Sequence, residues 1–146
     1  MSNVKAILST KSGELWSVSP EDIVLDAIRL MADKNVGALT VMHNDELVGI
    51  ISERDYTRKV ILKERSSSNT KVKDIMSKQV YYTHPEQSID ECMFLMTEHR
   101  IRHLPVLENT KLVGMISVGD VVKEIINDQK YTIKQLENYI SWEENY

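Results

Sequence analysis

The chain contains one seven-residue stretch twice. Residues 49–55 read Gly-Ile-Ile-Ser-Glu-Arg-Asp, and residues 114–120 read Gly-Met-Ile-Ser-Val-Gly-Asp. In both copies an apolar run ends at the serine and a helical pattern begins there, so the first N–H groups of the helix lack partners within it. Such a helix start carries partial positive charge and can hold an anion. The duplicated strand-to-helix junction is therefore the first candidate for a binding site.

The junction belongs to a longer internal repeat. A shift of 65 residues aligns 15–61 with 80–126 without a gap, and 14 of these 47 positions are identical. Roughly three identities would be expected by chance from ordinary composition. Upstream, residues 4–9 match residues 72–77 with a shift of 68, which implies a three-residue insertion at residues 11–13 of the first copy. The repeat predicts two similar structural units in one chain.

The first half of each copy predicts a short strand and a helix. An extended segment (15–18 or 80–83) leads to a proline, after which apolar residues recur at i, i+3, i+4 and i+7. This spacing predicts one buried helix face, made by positions 24, 27, 28 and 31 in the first copy and 89, 92, 93 and 96 in the second. Asp22 is the expected N-cap in the first copy, and Ser88 with Glu91 forms a capping-box pattern in the second.

The second half of each copy predicts a hairpin and a second helix. Two apolar runs, 38–42 and 47–51, flank a polar turn with Asn44 and Asp45, and 104–107 and 112–116 flank Asn109. A helix then starts at the serine. Each unit therefore reads β-α-β-β-α, and we expect two units to share a core because one is too small to bury both of its faces.

The composition limits the classes of partner. A net charge of −4 argues against a nucleic-acid backbone as the main partner. Cys92 is the single cysteine, so no intrachain disulfide can form. No apolar run approaches the roughly 18–20 residues of a transmembrane helix, and the N-terminus has no signal-like apolar core. We expect a cytoplasmic protein without a nucleic-acid or membrane partner, or one from an organelle matrix if a presequence has been removed.

The chain resembles the CBS-domain family, named after cystathionine β-synthase, as a tandem pair. The residues that carry the resemblance are the Val-Lys-Asp-Ile-Met opening at 72–76, the Arg-Ile-Arg-His-Leu-Pro-Val segment at 100–106 and both Gly-x-x-Ser-x-x-Asp junctions. The resemblance covers most of the chain and divides it into a first CBS domain (4–65), a linker (66–71), a second CBS domain (72–128) and a C-terminal helical tail (129–146). It implies an α+β fold of two pseudo-symmetric CBS units packed sheet to sheet, plus the C-terminal helix.

The tail has its own helical pattern. Ile133, Leu136 and Ile140 recur at helical spacing. We expect a terminal helix that packs either on its own module or on a partner.

The Ser-x-x-Asp spacing allows two interpretations. A serine at the N-cap with an acidic residue three positions later satisfies unpaired N–H groups of a helix, which is worth about 1 kcal/mol. In the family, the aspartate binds ribose hydroxyls while the serine faces sugar or phosphate. The two roles are compatible, because a carboxylate held at the first turn can still accept hydrogen bonds. Likewise Gly49 and Gly114 could allow close strand packing or the approach of a flat base.

The resemblance implies two ligand clefts that differ in charge. The cleft of Asp55 would include Arg102, His103 and Pro105, with Arg54 close by. The cleft of Asp120 would have Gly37 and Ala38 at the equivalent positions, which cannot neutralise a phosphate. We therefore expect Asp55 to mark the main nucleotide site and the Asp120 cleft to be weaker or empty. The full set of expected ligand-binding residues is Ala38, Ile50, Ser52, Arg54, Asp55, Tyr81, Arg102, His103, Pro105, Met115, Ser117 and Asp120, with Tyr81 either against adenine or filling the edge of the core.

Three functions remain open from the sequence. The first is a sensor that binds an adenosine-containing ligand, with AMP, ADP or ATP ahead of NAD(H) lying across both clefts, and reports to an unknown regulated protein as a homodimer. The second is a structural dimerisation module without ligand. The third is an enzyme with His103 and Asp55 as acid–base groups, which lacks a nucleophile or metal to join them. We expect no enzyme activity and no metal site, since His99 and His103 have no acidic third ligand.

Overall fold

The computed structural model describes residues 2–11, 13 and 15–144, without the side chain of Glu144. The chain is mixed α/β, with one sheet in each repeat. The first repeat contains α1 (Val4–Thr10), β1 (Ser17–Val18), α2 (Val24–Lys34), β2 (Ala38–His43), β3 (Glu46–Ser52) and α3 (Glu53–Tyr56), which continues as a five-residue π-helix, Thr57–Ile61. The second contains α4 (Val72–Ile75), α5 (Ile89–His99), β4 (His103–Glu108), β5 (Lys111–Ser117) and α6 (Val118–Glu144).

The chain forms two compact units, which do not follow the repeats in simple order. The repeat-one unit contains Glu14–Tyr82 and Asn109–Val113. The repeat-two unit contains Met1–Gly13, Thr83–Glu108 and Gly114–Tyr146. The opening helix of each repeat therefore lies in the unit of the other repeat.

Matching backbone hydrogen bonds hold the two opening helices. In the repeat-two unit, the N–H groups of Val4 and Lys5 donate to the carbonyls of Gln87 (3.0 Å) and Pro85 (2.9 Å). In the repeat-one unit, the N–H groups of Val72 and Lys73 donate to the carbonyls of Asp22 (2.8 Å) and Pro20 (3.0 Å). These bonds satisfy N–H groups that have no partner within a helix start. The Val-Lys pair of each repeat thus docks on the Pro-containing loop of the other.

The core of the repeat-one unit confirms the predicted helix face. Val24, Ala27 and Met31 of α2 are buried, and Ile28 packs against the same cluster. The cluster is completed by buried residues of the sheet, the π-helix and α4, namely Leu39, Val41, Ile51, Val60, Val72 and Ile75. In the repeat-two unit, α5 buries Ile89, Cys92 and Met96 at the corresponding positions. Burial raises the pKa of the Cys92 thiol, as expected for a small core residue.

The two predicted helix caps have different outcomes. The side chain of Ser88 caps α5 by accepting a hydrogen bond from the Glu91 N–H at 3.2 Å, which is one of the two hydrogen bonds of the predicted capping box. The Glu91 carboxylate binds the side chain of Gln87. The prediction for Asp22 is wrong: α2 begins after Ile23 without a side-chain cap, because the Asp22 carboxylate accepts the Ser19 N–H at 2.8 Å.

The predicted hairpin of the first repeat is present. β2 and β3 pair antiparallel, and a two-residue turn joins them, with Asn44 at φ 51° and Asp45 at φ 63°. Two positive φ values in succession suit the right-handed twist of a hairpin, and asparagine and aspartate tolerate them. Asn109 and Thr110 repeat this conformation in the second copy, with φ 52° and 68°.

The first strand is shorter in the second copy than the sequence suggests. β1 pairs with β2 in parallel through Ser17 and Val18. In the second copy the expected strand at 80–83 reduces to a single parallel bridge between Thr83 and Val106. Pro105 stands where β2 has Thr40, and a proline has no N–H to donate to a ladder. Tyr81 lies outside the described strands, as does the equivalent Trp16 in the first copy.

The second half of the repeat-two unit contains one long helix. The helix expected after Ser117 and the C-terminal helix expected from residue 129 are parts of one continuous element, α6, which is 27 residues long. No glycine or proline interrupts it after Gly119. Every described side chain from 129 to 143 is exposed.

The duplicated glycines permit close packing by the chain itself. A Cβ at Gly49 would lie 2.7 Å from the Met76 sulfur and 3.1 Å from the Ser77 carbonyl oxygen, both within the repeat-one unit. A Cβ at Gly114 would lie 2.7 Å from Cδ2 of Leu8, within the repeat-two unit. Both glycines are buried. Gly49 thus allows the close approach of residues 76–77, and Gly114 allows that of Leu8 in α1.

The two glycines differ in what blocks a side chain, which predicts unequal effects of alanine. Gly49→Ala should lower the free energy of unfolding by about 1–3 kcal/mol, because backbone at Ser77 must move. Gly114→Ala should cost less, because only the end of the Leu8 side chain must shift. Urea denaturation measures both, with Gly119→Ala as the control, where the nearest atom is 3.6 Å away. Equal losses at Gly49 and Gly114 would contradict this assignment.

Candidate functional site

The junction of the first repeat is a complete capping box. β3 ends at Ser52 and α3 begins at Glu53, so strand and helix meet without a loop. The Ser52 N–H donates to Oδ2 of Asp55 at 2.9 Å, and the Asp55 N–H donates to the Ser52 hydroxyl oxygen at 3.2 Å. The capping interpretation of the motif is therefore confirmed.

A lysine neutralises the carboxylate of this junction. Nζ of Lys59 lies 3.0 Å from Oδ1 of Asp55, one helical turn away, and also donates to the Ile75 carbonyl at 2.9 Å. Asp55 is buried, with 8% of its surface exposed. Burial of a charged carboxylate is favourable only when it is paired and hydrogen-bonded, and both oxygens here have a donor.

The junction of the second repeat has the same cap. The Ser117 N–H donates to Oδ2 of Asp120 at 2.8 Å, and the Asp120 N–H donates to the Ser117 hydroxyl oxygen at 3.1 Å. The lysine comes from elsewhere in the chain: Nζ of Lys11 lies 2.8 Å from Oδ2 of Asp120 and donates to the Met115 carbonyl at 2.9 Å. Each aspartate is thus held by a serine N–H and by a lysine that also binds a backbone carbonyl.

The contacts of Asp120 shift its acidity. Partial burial opposes ionisation, but the hydrogen bonds from Lys11 and Ser117 outweigh it, so the pKa of Asp120 lies below its ordinary value. A carboxyl with a lower pKa in the folded than in the unfolded chain stabilises the fold above its unfolded pKa of about 3.9. That stabilisation is lost as pH falls through the lower, folded pKa. At neutral pH Asp120 is an ionised acceptor.

The other predicted residues of the repeat-one unit surround its junction unequally. Ala38 is buried and pairs with Ser52 across the sheet. Arg54 is exposed in the first turn of α3. The backbone of Ile50 is already bound, because its N–H and carbonyl pair with Ser77 at 3.1 and 2.9 Å. The Ile50 N–H is therefore occupied, while its carbonyl can accept one further hydrogen bond.

The remaining predicted residues belong to the repeat-two unit, apart from Tyr81. The carbonyl of Arg102 accepts the Val118 N–H at 2.8 Å, which fixes the backbone of Arg102 beside the Ser117 junction. The Arg102 side chain is exposed, His103 begins β4, and Pro105 is buried within it. Tyr81, at the end of the repeat-one unit, is half-buried. The described contacts thus group Asp55 with Ser52 and Ala38, and Asp120 with Ser117 and Met115.

The two lysines of the junctions are absent from the sequence-based set of site residues. Lys59 lies four residues after Asp55, a spacing that pairs opposite charges on a helix and could have signalled it. Lys11 has no such signal, because it lies 109 residues from Asp120. It does fall in the three-residue insertion at 11–13, of which Ser12 lies outside the described residues.

A surface cavity of the repeat-one unit lies apart from the predicted site. It has a volume of about 390 Å³ and is lined by Pro20, Glu21, His43, Val48, Lys73, Asp74, Met76 and Lys78. Hydrogen bonds from Lys71 and Lys73 lower the pKa of Glu21 to about 2. None of the lining residues belongs to the predicted ligand-binding set.

Within the described part of the chain, no cluster of three His, Cys, Asp or Glu side chains could hold a metal ion. A search of the same residues finds no helix with the length and apolarity needed to cross a bilayer.

Comparison with known sequences agrees with the duplicated junction. The sequence profile of the CBS domain matches the chain twice, at residues 4–61 and 72–127. The chain belongs to the CBS-domain family. Both matches contain one Ser-x-x-Asp junction and one hairpin, so the chain carries a CBS pair.

Solved and curated CBS proteins are similar to most of the chain. A protein with CBS domains from Burkholderia ambifaria is 53% identical, with a TM-score of 0.85, over 88% of this chain and 96% of that one. The mitochondrial CBS domain-containing protein CBSX3 of Arabidopsis thaliana is 43% identical over 86% of this chain. The match covers 63% of the length of CBSX3.

A more distant CBS pair has been solved with ligands. It is 20% identical, with a TM-score of 0.78, over 88% of this chain and 98% of that one, and is in complex with 5′-methylthioadenosine and S-adenosyl-L-methionine. At this identity the likeness shows the fold alone.

The contact between Lys11 and Asp120 predicts a change in acidity on substitution. Lys11→Met keeps an apolar stem but removes the ammonium, so the pKa of Asp120 should rise toward its ordinary value. Carboxyl ¹³C NMR titration measures this pKa. Lys59→Met is the matched control and should leave Asp120 unchanged. An unaltered Asp120 titration in Lys11→Met would contradict the pairing.

Proposed function

We propose that this CBS pair is a regulatory module that binds an adenosine-containing nucleotide through its Ser-x-x-Asp junctions. The observation that carries the proposal is the carboxylate held by a serine N–H and a lysine at each junction. A ribose presents two neighbouring hydroxyl donors, and a carboxylate accepts hydrogen bonds only. Ligand hydroxyls would replace the lysine ammonium, which is attached by a flexible stem and is partly exposed in both junctions.

The fold of the family supports an adenosine-type ligand. The distant CBS pair with methylthioadenosine and S-adenosyl-L-methionine shows that this fold can hold ligands with an adenosine group. Its low identity transfers no residue roles. The proposed nucleotide binding therefore depends on the aspartates of this chain.

We propose the Asp55 junction as the main nucleotide site. Its first helical turns carry Arg54 and Lys59, whereas the aligned positions of the second junction are Gly119 and Glu124. Arg54 and Lys59 would stabilise a phosphate bound near a ribose at the first junction, whereas Glu124 would repel one at the second.

The nucleotide class follows from the same charges. One basic cluster is enough for a monophosphate, so AMP is the first candidate, with ADP and ATP next. NAD(H) is the second candidate, because a dinucleotide has two riboses and the chain has two junctions of the same construction. A homodimer that passes ligand occupancy to a regulated protein, rather than a catalyst, is the role we propose. We also propose a cytoplasmic location, although the relative CBSX3 is mitochondrial.

Thermal unfolding with each ligand tests nucleotide binding. AMP, ADP, ATP, NAD, NADH and S-adenosylmethionine are added separately to the full chain. A ligand at 100 times its Kd stabilises the folded state by about 2.7 kcal/mol, which raises Tm by about 6–10 °C for a chain of this size. We expect the largest rise with AMP. No rise with any of the six would contradict the sensor and favour a structural module.

Paired substitutions test the preference between the junctions. Asp55→Asn should remove most of the AMP-dependent rise in Tm, while the matched Asp120→Asn should keep most of it. Asparagine can still accept the serine N–H, so the helix cap is retained in both variants. Equal loss in both asparagine variants would refute the preference for Asp55.

A further inference from the structure

The C-terminal half of α6 has an apolar face that its own chain does not cover. Val121 near the start of the helix is fully buried, and the Asp128 carboxylate accepts hydrogen bonds from the Ser2 N–H and hydroxyl at 3.1 and 2.5 Å. Beyond this anchor, all described side chains from 129 to 143 are exposed. An isolated helix of about 15 residues is marginally stable in water, so packing on another molecule would favour this segment.

Four of the exposed apolar residues of α6 follow a heptad, whereas Tyr131, Tyr139 and Trp142 lie at neither its a nor its d positions. Ile126, Ile133 and Ile140 are seven residues apart, and Leu136 stands three residues after Ile133. They are 44%, 54%, 55% and 57% exposed in that order. The other d positions hold Gln129 and Glu143, whereas isoleucine at the a positions and leucine at the d position 136 can form a coiled-coil core. We call these four residues the α6 seam.

The charges beside the seam select the occupant and its direction. Lys130 and Lys134 flank the first half of the seam, and Glu137 flanks the second half on the same edge. When two copies pair antiparallel, this edge faces its own equivalent, so Lys130 of one copy meets Glu137 of the other. A parallel pair places this edge against the opposite one, which offers Ile125 and Thr132 rather than charges.

We propose that the α6 seam binds the α6 seam of a second copy of this chain as a short antiparallel coiled coil. The two-fold axis passes midway between Ile133 and Leu136, so that each isoleucine at 133 packs on the leucine at 136 of the other copy. Lys130 and Glu137 form two symmetric ion pairs beside this contact. The inference is independent of nucleotide binding, because no junction residue takes part.

Hydrogen–deuterium exchange of peptides from 129 to 143 tests self-association at this seam. In the full chain, protection of this segment should increase with protein concentration. Leu136→Glu should abolish the increase. Sedimentation should show a dissociation constant of the dimer at least roughly 100-fold larger, since a charge would be buried. Tyr131→Glu is the matched control, because Tyr131 is 67% exposed but lies off the seam. Equal effects of both substitutions, or protection that is independent of concentration, would overturn the proposal.

Local exchange also separates this contact from others. A dimer formed through another face would persist in Leu136→Glu, but without concentration-dependent protection of 129–143 in either protein. That result would overturn the seam. Vesicles of phosphatidylcholine and phosphatidylglycerol provide the second comparison: protection of the segment by vesicles and not by protein concentration would identify a lipid surface as the occupant.

Two experiments test the antiparallel direction. Lys130→Glu and Glu137→Lys should each weaken association, and the double variant should restore it. A spin label at Glu143→Cys should report two labels about 25 Å apart along the helix axis in an antiparallel pair, and side by side in a parallel pair. Cys92 is buried, which protects it from the label. Side-by-side labels, or no restoration in the double variant, would overturn the antiparallel arrangement.

Discussion

The hydrogen bond from the serine N–H to the aspartate carboxylate is the contact on which each junction depends. It allows a strand to be followed directly by a helix without a loop, as β3 is followed by α3 at Ser52. In both repeats the next N–H is taken by a strand-end carbonyl, of Gly37 or Arg102. The carboxylate that closes the cap is held in one position by these contacts. The carboxylate that caps the helix is thus the same group that we propose to bind the ligand.

The local elements could be predicted because local chemistry determines them. The i, i+3, i+4, i+7 pattern locates the buried face of α2, and Asn44-Asp45 supplies the positive φ values of the hairpin. The cap of α2 could not be predicted, because the Asp22 carboxylate binds the Ser19 N–H of the preceding loop and α2 begins without a side-chain cap. The sequence pattern predicts two helices where α6 is one, because the polar residues 127–130 interrupt the apolar spacing. The helix continues through them because none is a helix breaker.

The parts of the site that depend on long-range contacts could not be predicted from the sequence. Both repeats have a Val-Lys opening and a proline loop, and nothing in either segment says that the opening of one docks on the loop of the other. Lys11 reaches Asp120 only because of that exchange, so its role is invisible in the chain order. The same exchange explains Gly114, whose missing side chain makes room for Leu8.

The charge difference between the junctions links the fold to the proposed function. Both aspartates have a serine N–H and a lysine, so capping does not distinguish them, whereas Arg54 has only Gly119 as its counterpart. Carboxyl ¹³C NMR of the full chain during titration with AMP at neutral pH tests the consequence most directly. If the Asp55 junction is the main nucleotide site, the Asp55 carboxyl signal shows a saturable shift that exceeds the shift of Asp120. Saturation with AMP that moves only Asp120, or moves neither signal, would contradict it.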